Sequence, residues 1–201
     1  MDLTPPTLAG RHVRLVPLTL EHVPALWEVA NDDDIWRWTL SQIRSEHDML
    51  RYVQAALAKQ AEGGAIPFAT TDAATGRVIG STRYHNVEPL HRRVEIGYTW
   101  IGPAWQRTPV NTEAKYLMLR HAFETLDCIR VELRTDAQNQ RSRSAILRIG
   151  AKEEGTLRRH LRTDSGRFRD TVYFSILDDE WPEVKQRLEA KLARPWTPSA
   201  A

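Results

Sequence analysis

The chain has 201 residues, 41% of them hydrophobic, which suits one domain with a substantial core. Its 28 basic and 26 acidic side chains nearly cancel to a net +2, which argues against the global field of a nucleic-acid binder. No apolar run approaches the ~18 residues of a membrane span, the amino terminus lacks an export signal, and the single cysteine, Cys128, has no partner for an internal disulfide, so a cytoplasmic location is expected.

Residues 11–18 alternate polar and apolar and predict a strand. Thr19 is placed to cap a helix running to Ala30, with Leu20, Val23, Leu26, Trp27 and Ala30 on one face. Asn31 to Asp34, followed by Ile35, Trp36 and Trp38, has no clean period and is read as an acidic, aromatic loop. Ser45, with Asp48 three residues on, opens a second helix that runs to Glu62 before Gly63 and Gly64. The period then changes: 66–71, 77–85 and 93–101 read as three strands whose short connections favour an antiparallel meander.

Pro109 to Leu126 predicts a long helix with Ala114, Leu117, Met118, His121, Ala122 and Leu126 on one stripe. A strand over 129–136 and a helix over 139–149, stopped by Gly150, follow. A hairpin over 154–162 and 167–177 turns at Asp164-Ser165-Gly166, and 181–192 is the last helix. The order predicts an α/β fold of one domain over 1–194, a mixed and mostly antiparallel sheet flanked by helices, with a loose tail at 195–201.

The junction from Tyr98 to Lys115 runs from a strand through a short loop into a helix amino terminus. Unpaired amides and the positive end of the helix dipole converge there, making an anion site. Thr108 suits the N-cap and Pro109 the first helical position, Asn111 and Thr112 add donors, and Glu113 balances the dipole. Any capped helix would share these features. Arg141, Arg143, Arg148, Arg158, Arg159, Arg162, Arg167 and Arg169 crowd one stretch, either as solvated charges or as a surface for a polyphosphate.

The stretch resembles the coenzyme-A signature of the GNAT superfamily of N-acetyltransferases, in which a loop reading Gln or Arg, two residues, Gly, one residue, Gly or Ala grips a pyrophosphate. Here it reads Gln106-Arg107-Thr108-Pro109-Val110-Asn111, matching at the first position and placing a proline without an N–H where a glycine amide would donate. Other segments carry the likeness in the right order over about residues 10 to 180. They are Arg14-Leu15-Val16-Pro17-Leu18, Val94-Glu95-Ile96-Gly97-Tyr98, Asn139-Gln140-Arg141-Ser142 with Ile149-Gly150-Ala151, and Arg169 to Ser175. The ribosomal-protein alanine acetyltransferase branch is the most similar.

The resemblance implies direct attack of an amine on acetyl-CoA, with the strands at 93–101 and 129–136 splayed to admit the pantetheine arm. It implies main-chain cofactor contacts at Trp100 and Ile101. Further cofactor contacts are expected at Gln106, Arg107, Thr108, Val110, Asn111 and Thr112, and at Asn139, Ser142 and Arg143. Glu95, in a central strand, is the candidate general base if partial burial raises its pKa; the alternative is a carboxylate paired with Arg93 or Arg83. Ser142 is the candidate proton donor to the thiolate, or else a helix cap or phosphate contact. Tyr98 is a second candidate donor, or else a core aromatic.

Trp36, Trp38, Asp32, Asp33, Asp34, Tyr84 and Asp170 are placed to meet the acceptor, either as an amine-attracting surface or as a solvated loop with tucked aromatics. The acceptor is left open between a protein amino terminus and a small amine. The histidines show no metal-ligand spacing, and Cys128 is expected to pack. No metal is called for. Two other classes stay open: a non-catalytic acyl-CoA- or nucleotide-binding or regulatory module on the same scaffold, which Pro109 favours, and an RNA-associated protein using the arginines of 141–169. A homodimer is compatible with the branch, although the sequence carries no interface signature.

Overall fold

The computed structural model describes residues 1–196; of the predicted tail, residues 197–201 lie outside the described residues. The chain makes β1 (Leu8–Ala9), β2 (Val13–Pro17), α1 (Val23–Ala30), α2 (Asp33–Trp36), α3 (Glu46–Ala61), β3 (Ala65–Asp72), β4 (Val78–Glu88) and β5 (Arg93–Ile101). It continues through α4 (Val110–Glu124), β6 (Arg130–Asp136), α5 (Gln140–Arg148), β7 (Lys152–Arg162), β8 (Phe168–Leu177) and α6 (Trp181–Leu192). The strands form one sheet in the order β1-β2-β3-β4-β5-β6-β8-β7. The β5–β6 pair, joined through α4, is parallel, and the remaining pairs are antiparallel. The predicted meander is β3-β4-β5. No described helix is long and apolar enough to cross a membrane.

Strand alternation divides the sheet into two faces with different fates. On one, Val94, Ile96, Val131, Leu133, Val172 and Phe174 form a continuous core with Leu117 and Met118 of α4 and Leu188 of α6. On the other, α1, α2 and α3 cover the β2–β5 side through Leu26, Trp36, Met49, Val53 and Trp100. The alternating positions of β6 and β8 on that second face are polar: Glu132, Arg134 and Asp136, then Arg169, Thr171 and Tyr173. Apolar packing thus stops where the polar strands begin.

Several boundaries differ from expectation. β1 is two residues long, too short to show a period, and pairs with β2. The Glu113 carboxylate, buried in the first turn of α4, accepts the N–H groups of Arg11 (2.9 Å), His12 (2.6 Å) and Val13 (2.9 Å), so it pins the amino-terminal segment as well as facing the helix dipole. The helix expected from Thr19 opens with a single 3-10 turn, Leu20–His22, because Pro24 near the start of α1 cannot donate to an earlier carbonyl. The expected acidic loop contains α2, with Asp32 Oδ1 accepting Asp34 N–H at 2.9 Å and Trp36 Nε1 donating to Ala30 O at 2.9 Å. At α4 the cap falls one residue late. Pro109 occupies the N-cap, and Thr108 Oγ1 donates to Trp105 O at 2.7 Å while accepting Val110 N–H at 3.3 Å.

Candidate active site

β5 and β6 pair at three positions only, Arg93 with Arg130, Val94 with Val131 and Glu95 with Glu132. β5 continues to Ile101 and β6 to Asp136, so past Glu95 the two strands part and leave a cleft through the sheet. The cause lies on the other edge of β5. Arg83 stands opposite Gly97 and Ser81 opposite Trp100, so Tyr98 and Thr99 together face Thr82 alone. Tyr98 takes a left-handed φ of 51° in this bulge. A bulge bends the strand that carries it and re-aims its side chains. The cleft opens into a cavity of about 520 Å3 bounded by β5, β6, the start of α4 and α5.

One end of the cavity is cationic. Gln106 Nε2 donates to Ile101 O at 2.9 Å, and Arg141 Nη1 donates to Gln106 Oε1 at 3.0 Å, fixing the loop between the strand end and α5. Arg107, in a left-handed conformation (φ 60°), and Arg148 line the same end, and Arg148 Nη2 reaches Thr112 Oγ1 at 3.5 Å. Pro109 contributes no N–H, but the first-turn amides that follow it have no intrahelical acceptor. Three guanidinium groups and a helix start converge on one spot, which suits a polyphosphate.

The other end holds Glu95, 1% exposed on a central strand. Its Oε1 meets Arg134 Nε at 2.7 Å and His85 Nε2 at 3.0 Å, and its Oε2 accepts from Asn86 Nδ2 at 2.8 Å. Burial by itself pushes the carboxyl up; the His85 hydrogen bond, with Arg134 and Asn86, outweighs it and holds Glu95 below the usual carboxylate range. The raised pKa expected from the sequence is therefore corrected, and so are the partners. Arg93 instead meets Glu132 at 3.2 Å, while Arg83 forms no ion pair among the described residues. Gly97 permits the arrangement, since a Cβ there would run into His85 Nε2. His85 packs edge-on against Tyr98, ring centroids 5.0 Å apart.

Between the two ends stands Lys115, 6% exposed, whose Nζ donates to Thr99 Oγ1 at 2.5 Å in the bulge. Burial pulls its ammonium down to about 7. Cys128 is buried and packed, with its thiol pushed up to about 11.

The structure brings Glu95, Tyr98, Trp100, Ile101 and Ser142 to the cavity wall. Gln106, Arg107, Thr108, Asn111 and Asn139 join them there. Three expected contacts lie elsewhere. Val110 is 4% exposed in the core, Thr112 is buried beneath Arg148, and Arg143 is tied to Glu153 at 3.0 Å. Asn139 caps α5, its Oδ1 accepting Ser142 N–H at 3.0 Å. Tyr98 is 41% exposed and belongs to the cavity, not the core.

Of the residues expected to meet the acceptor, Trp36, Trp38 and Asp34 line the cavity. Asp32 and Asp33 belong to the start of α2, Tyr84 is buried with its hydroxyl donating to Met118 O at 2.5 Å, and Asp170 accepts Arg159 N–H at 2.6 Å. The sequence assigns no site role to His85, Arg134 or Lys115, and marks Arg169 only as one of the crowded arginines. Alternation from Glu95 and Leu133 would have placed the strand residues on the polar face, and Lys115 lies one helical turn after Asn111.

The profile of the acetyltransferase (GNAT) domain family matches residues 12–152. YdaF of Bacillus subtilis (strain 168), named as a candidate ribosomal N-acetyltransferase, is 36% identical over 110 residues; the match covers 55% of this chain and 59% of that protein, less than two thirds of its length. The crystal structure of a candidate acetyltransferase from T. thermophilus is 38% identical with a TM-score of 0.86, covering 96% of this chain and 100% of that one. Mycobacterium smegmatis RimJ in complex with CoA-disulfide is alike in fold, with a TM-score of 0.83 at 22% identity over 97% of this chain and 99% of that one. The matched residues run from just before β2 to the first residue of β7 and enclose both the parted strands and the cationic rim, and on that basis the chain belongs to the acetyltransferase (GNAT) family.

Proposed function

We propose that the protein transfers an acetyl group from acetyl-CoA to a primary amine, by direct attack within a ternary complex. The carrying observation is the parting of β5 and β6 past Glu95, which joins a cationic helix start to a polar end through the sheet. Gln106, Arg107, Arg141 and Arg148, with the amides opening α4, have the donors a diphosphate needs. Main-chain groups at Trp100 and Ile101 flank the cleft. The CoA complex of the RimJ neighbour supports this choice of donor, and the name of YdaF supports a protein amino terminus among the acceptors, beside small amines. The lone, buried cysteine suits the reducing cytoplasm.

When bound, the co-substrate supplies a thioester carbonyl and a thiol leaving group. The residues supply the rest. His85, with Nε2 directed at Glu95, keeps Nδ1 to take the amine's proton while the Glu95 carboxylate stabilises the imidazolium. Glu95 thus acts through His85 in place of accepting the proton alone. Ser142, at the third position of α5, returns a proton to the thiolate, with the Tyr98 hydroxyl as the second candidate.

Pro109 favours a second reading, a module that binds the ligand without turnover, because an amide donor is missing at the helix cap. Isothermal titration with acetyl-CoA, followed by free-thiol release over an amine panel, separates the two. Micromolar binding with amine-dependent thiol release supports transfer. Binding without release supports the module, and no binding removes both.

A further inference from the structure

Four arginines at and behind the polar end of the cavity are unevenly paired; of these, Arg134 and Arg169 line it. Arg134 meets Glu95 and Arg167 meets Asp136, and each of these carboxylate side chains is 1% exposed. That leaves Arg169 and Arg83 without a hydrogen bond or ion pair among the described residues. Arg169, on β8, is 7% exposed and lines the cavity, and its Nε has no partner. Arg83, on β4, is 5% exposed, with Nε and Nη2 unpartnered. Its guanidinium lies 3.9 Å from the Tyr98 ring centroid and 4.9 Å from that of Tyr52, two rings that face the cavity. Aromatic faces attract a cation but leave its in-plane N–H groups unused.

The orphaned arginine and tryptophan groups share one chemistry, whereas the orphaned Asn111 Oδ1, at the α4 end of the cavity, is an acceptor. Guanidinium Nε and Nη2 and the indole Nε1 of Trp100, which is also buried and unpartnered at the cavity wall, can only donate. The Thr171 hydroxyl, two residues beyond Arg169 on the same face, is buried without a partner as well. Four arginines share two carboxylates, Asp136 and Glu95, so Arg169 and Arg83 have no carboxylate in direct contact. Burying such a charge is costly unless something pairs with it. Consistent with that shortage, burial lowers the pKa of Arg169. Of Asp32 to Asp34, open between an amine-attracting surface and a solvated loop, only Asp34 reaches the cavity.

We infer that the acceptor carries a carboxylate close to its amine, and that Arg169 receives this carboxylate, with Trp100 also on the wall and the donors of Arg83 and Thr171 buried outside its lining. The planar fork of a guanidinium matches a carboxylate with two parallel hydrogen bonds. A free amino acid brings such a group as its α-carboxylate, and a peptide brings it as an acidic side chain near its amino terminus. The inference deepens the acetyl-transfer reading and rests on it.

The test is thiol release with acetyl-CoA over the free amino acids, their α-amides, and tripeptides carrying Glu or Gln at the second and third positions. The expected result is a kcat/KM at least about tenfold higher for the carboxylate member of a pair, the amino-acid and peptide arms showing which source the pocket takes. Arg169→Gln should collapse that ratio toward one, and Arg169→Lys should restore part of it. Melting curves of both variants, and their acetyl-CoA titrations, keep a folding defect from passing as a result. Equal turnover of carboxylates and amides overturns the inference, as does an Arg169→Gln variant that keeps the wild-type ratio. Turnover of no carboxylate-bearing acceptor despite acetyl-CoA binding also overturns it. Absence of acetyl-CoA binding overturns the acetyl-transfer reading and this inference together.

Discussion

Replacing Lys115 with Met should remove a pH dependence of stability that the buried amine imposes. In the unfolded chain a lysine titrates near 10.5, whereas in the fold burial draws it down to about 7. Between those values the unfolded chain holds a proton that the folded chain has released, so stability rises with pH across that window. Each pH unit inside it is worth up to about 1.4 kcal/mol; with the folded group half protonated at pH 7, the gain from pH 7 to 8.5 is about 1.5 kcal/mol. The interval avoids the other shifted groups. Burial holds His121 and His160 below 6.5, and the Cys128 thiol near 11 has an unfolded value of 9.0. Met spans a similar volume without a charge. Urea unfolding followed by tryptophan fluorescence, at pH 7.0 and 8.5, compares the two proteins. A wild-type stability that is flat over the interval, or a Lys115→Met variant with the wild-type slope, would refute the argument.

Glu95→Gln removes the carboxylate that stabilises the His85 imidazolium and should lower kcat by roughly a hundredfold, with little change in acetyl-CoA affinity by calorimetry. Glu113→Gln presents an amide where three backbone N–H groups now find a carboxylate, and should cost about 2–3 kcal/mol in urea unfolding. Arg141→Ala frees the Gln106 side chain and removes a cation from the helix start, so the acetyl-CoA Kd should rise roughly tenfold at low salt and less at high salt. An Arg141→Ala affinity that is unaltered at low salt would remove this end from the phosphate site.

The parts of the fold legible in the sequence are those with local causes. Helix α3 begins behind Ser45 because its Oγ accepts Asp48 N–H at 3.1 Å, and α6 covers the predicted 181–192 because its apolar spacing is helical throughout. The meander followed from the short turns between β3, β4 and β5. What stayed hidden depends on partners distant in sequence. Nothing around Tyr98 announces a bulge, because a left-handed tyrosine is imposed by strand registry and not by its own preference. The ladder between β5 and β6 ends at Glu95 although both strands keep apolar residues beyond it. Glu95 could be seen as a carboxylate in a central strand. That Arg134 and His85 would surround it required knowing which strand lies beside β5, and hence the protonation argument from the sequence took the wrong sign.

The short β5–β6 ladder also makes the sheet mechanically two pieces. One holds β1 to β5, the other β6, β8 and β7, and they are joined by three residue pairs, the Arg93–Glu132 and Glu95–Arg134 ion pairs and the core beneath α4. Amide hydrogens bordering such a seam exchange more readily than those of an unbroken sheet, and any molecule lodged along it works as mortar between the pieces. Occupancy should therefore slow exchange on both flanks at once, so that ligand affinity and the cohesion of the whole β-sheet become one coupled quantity.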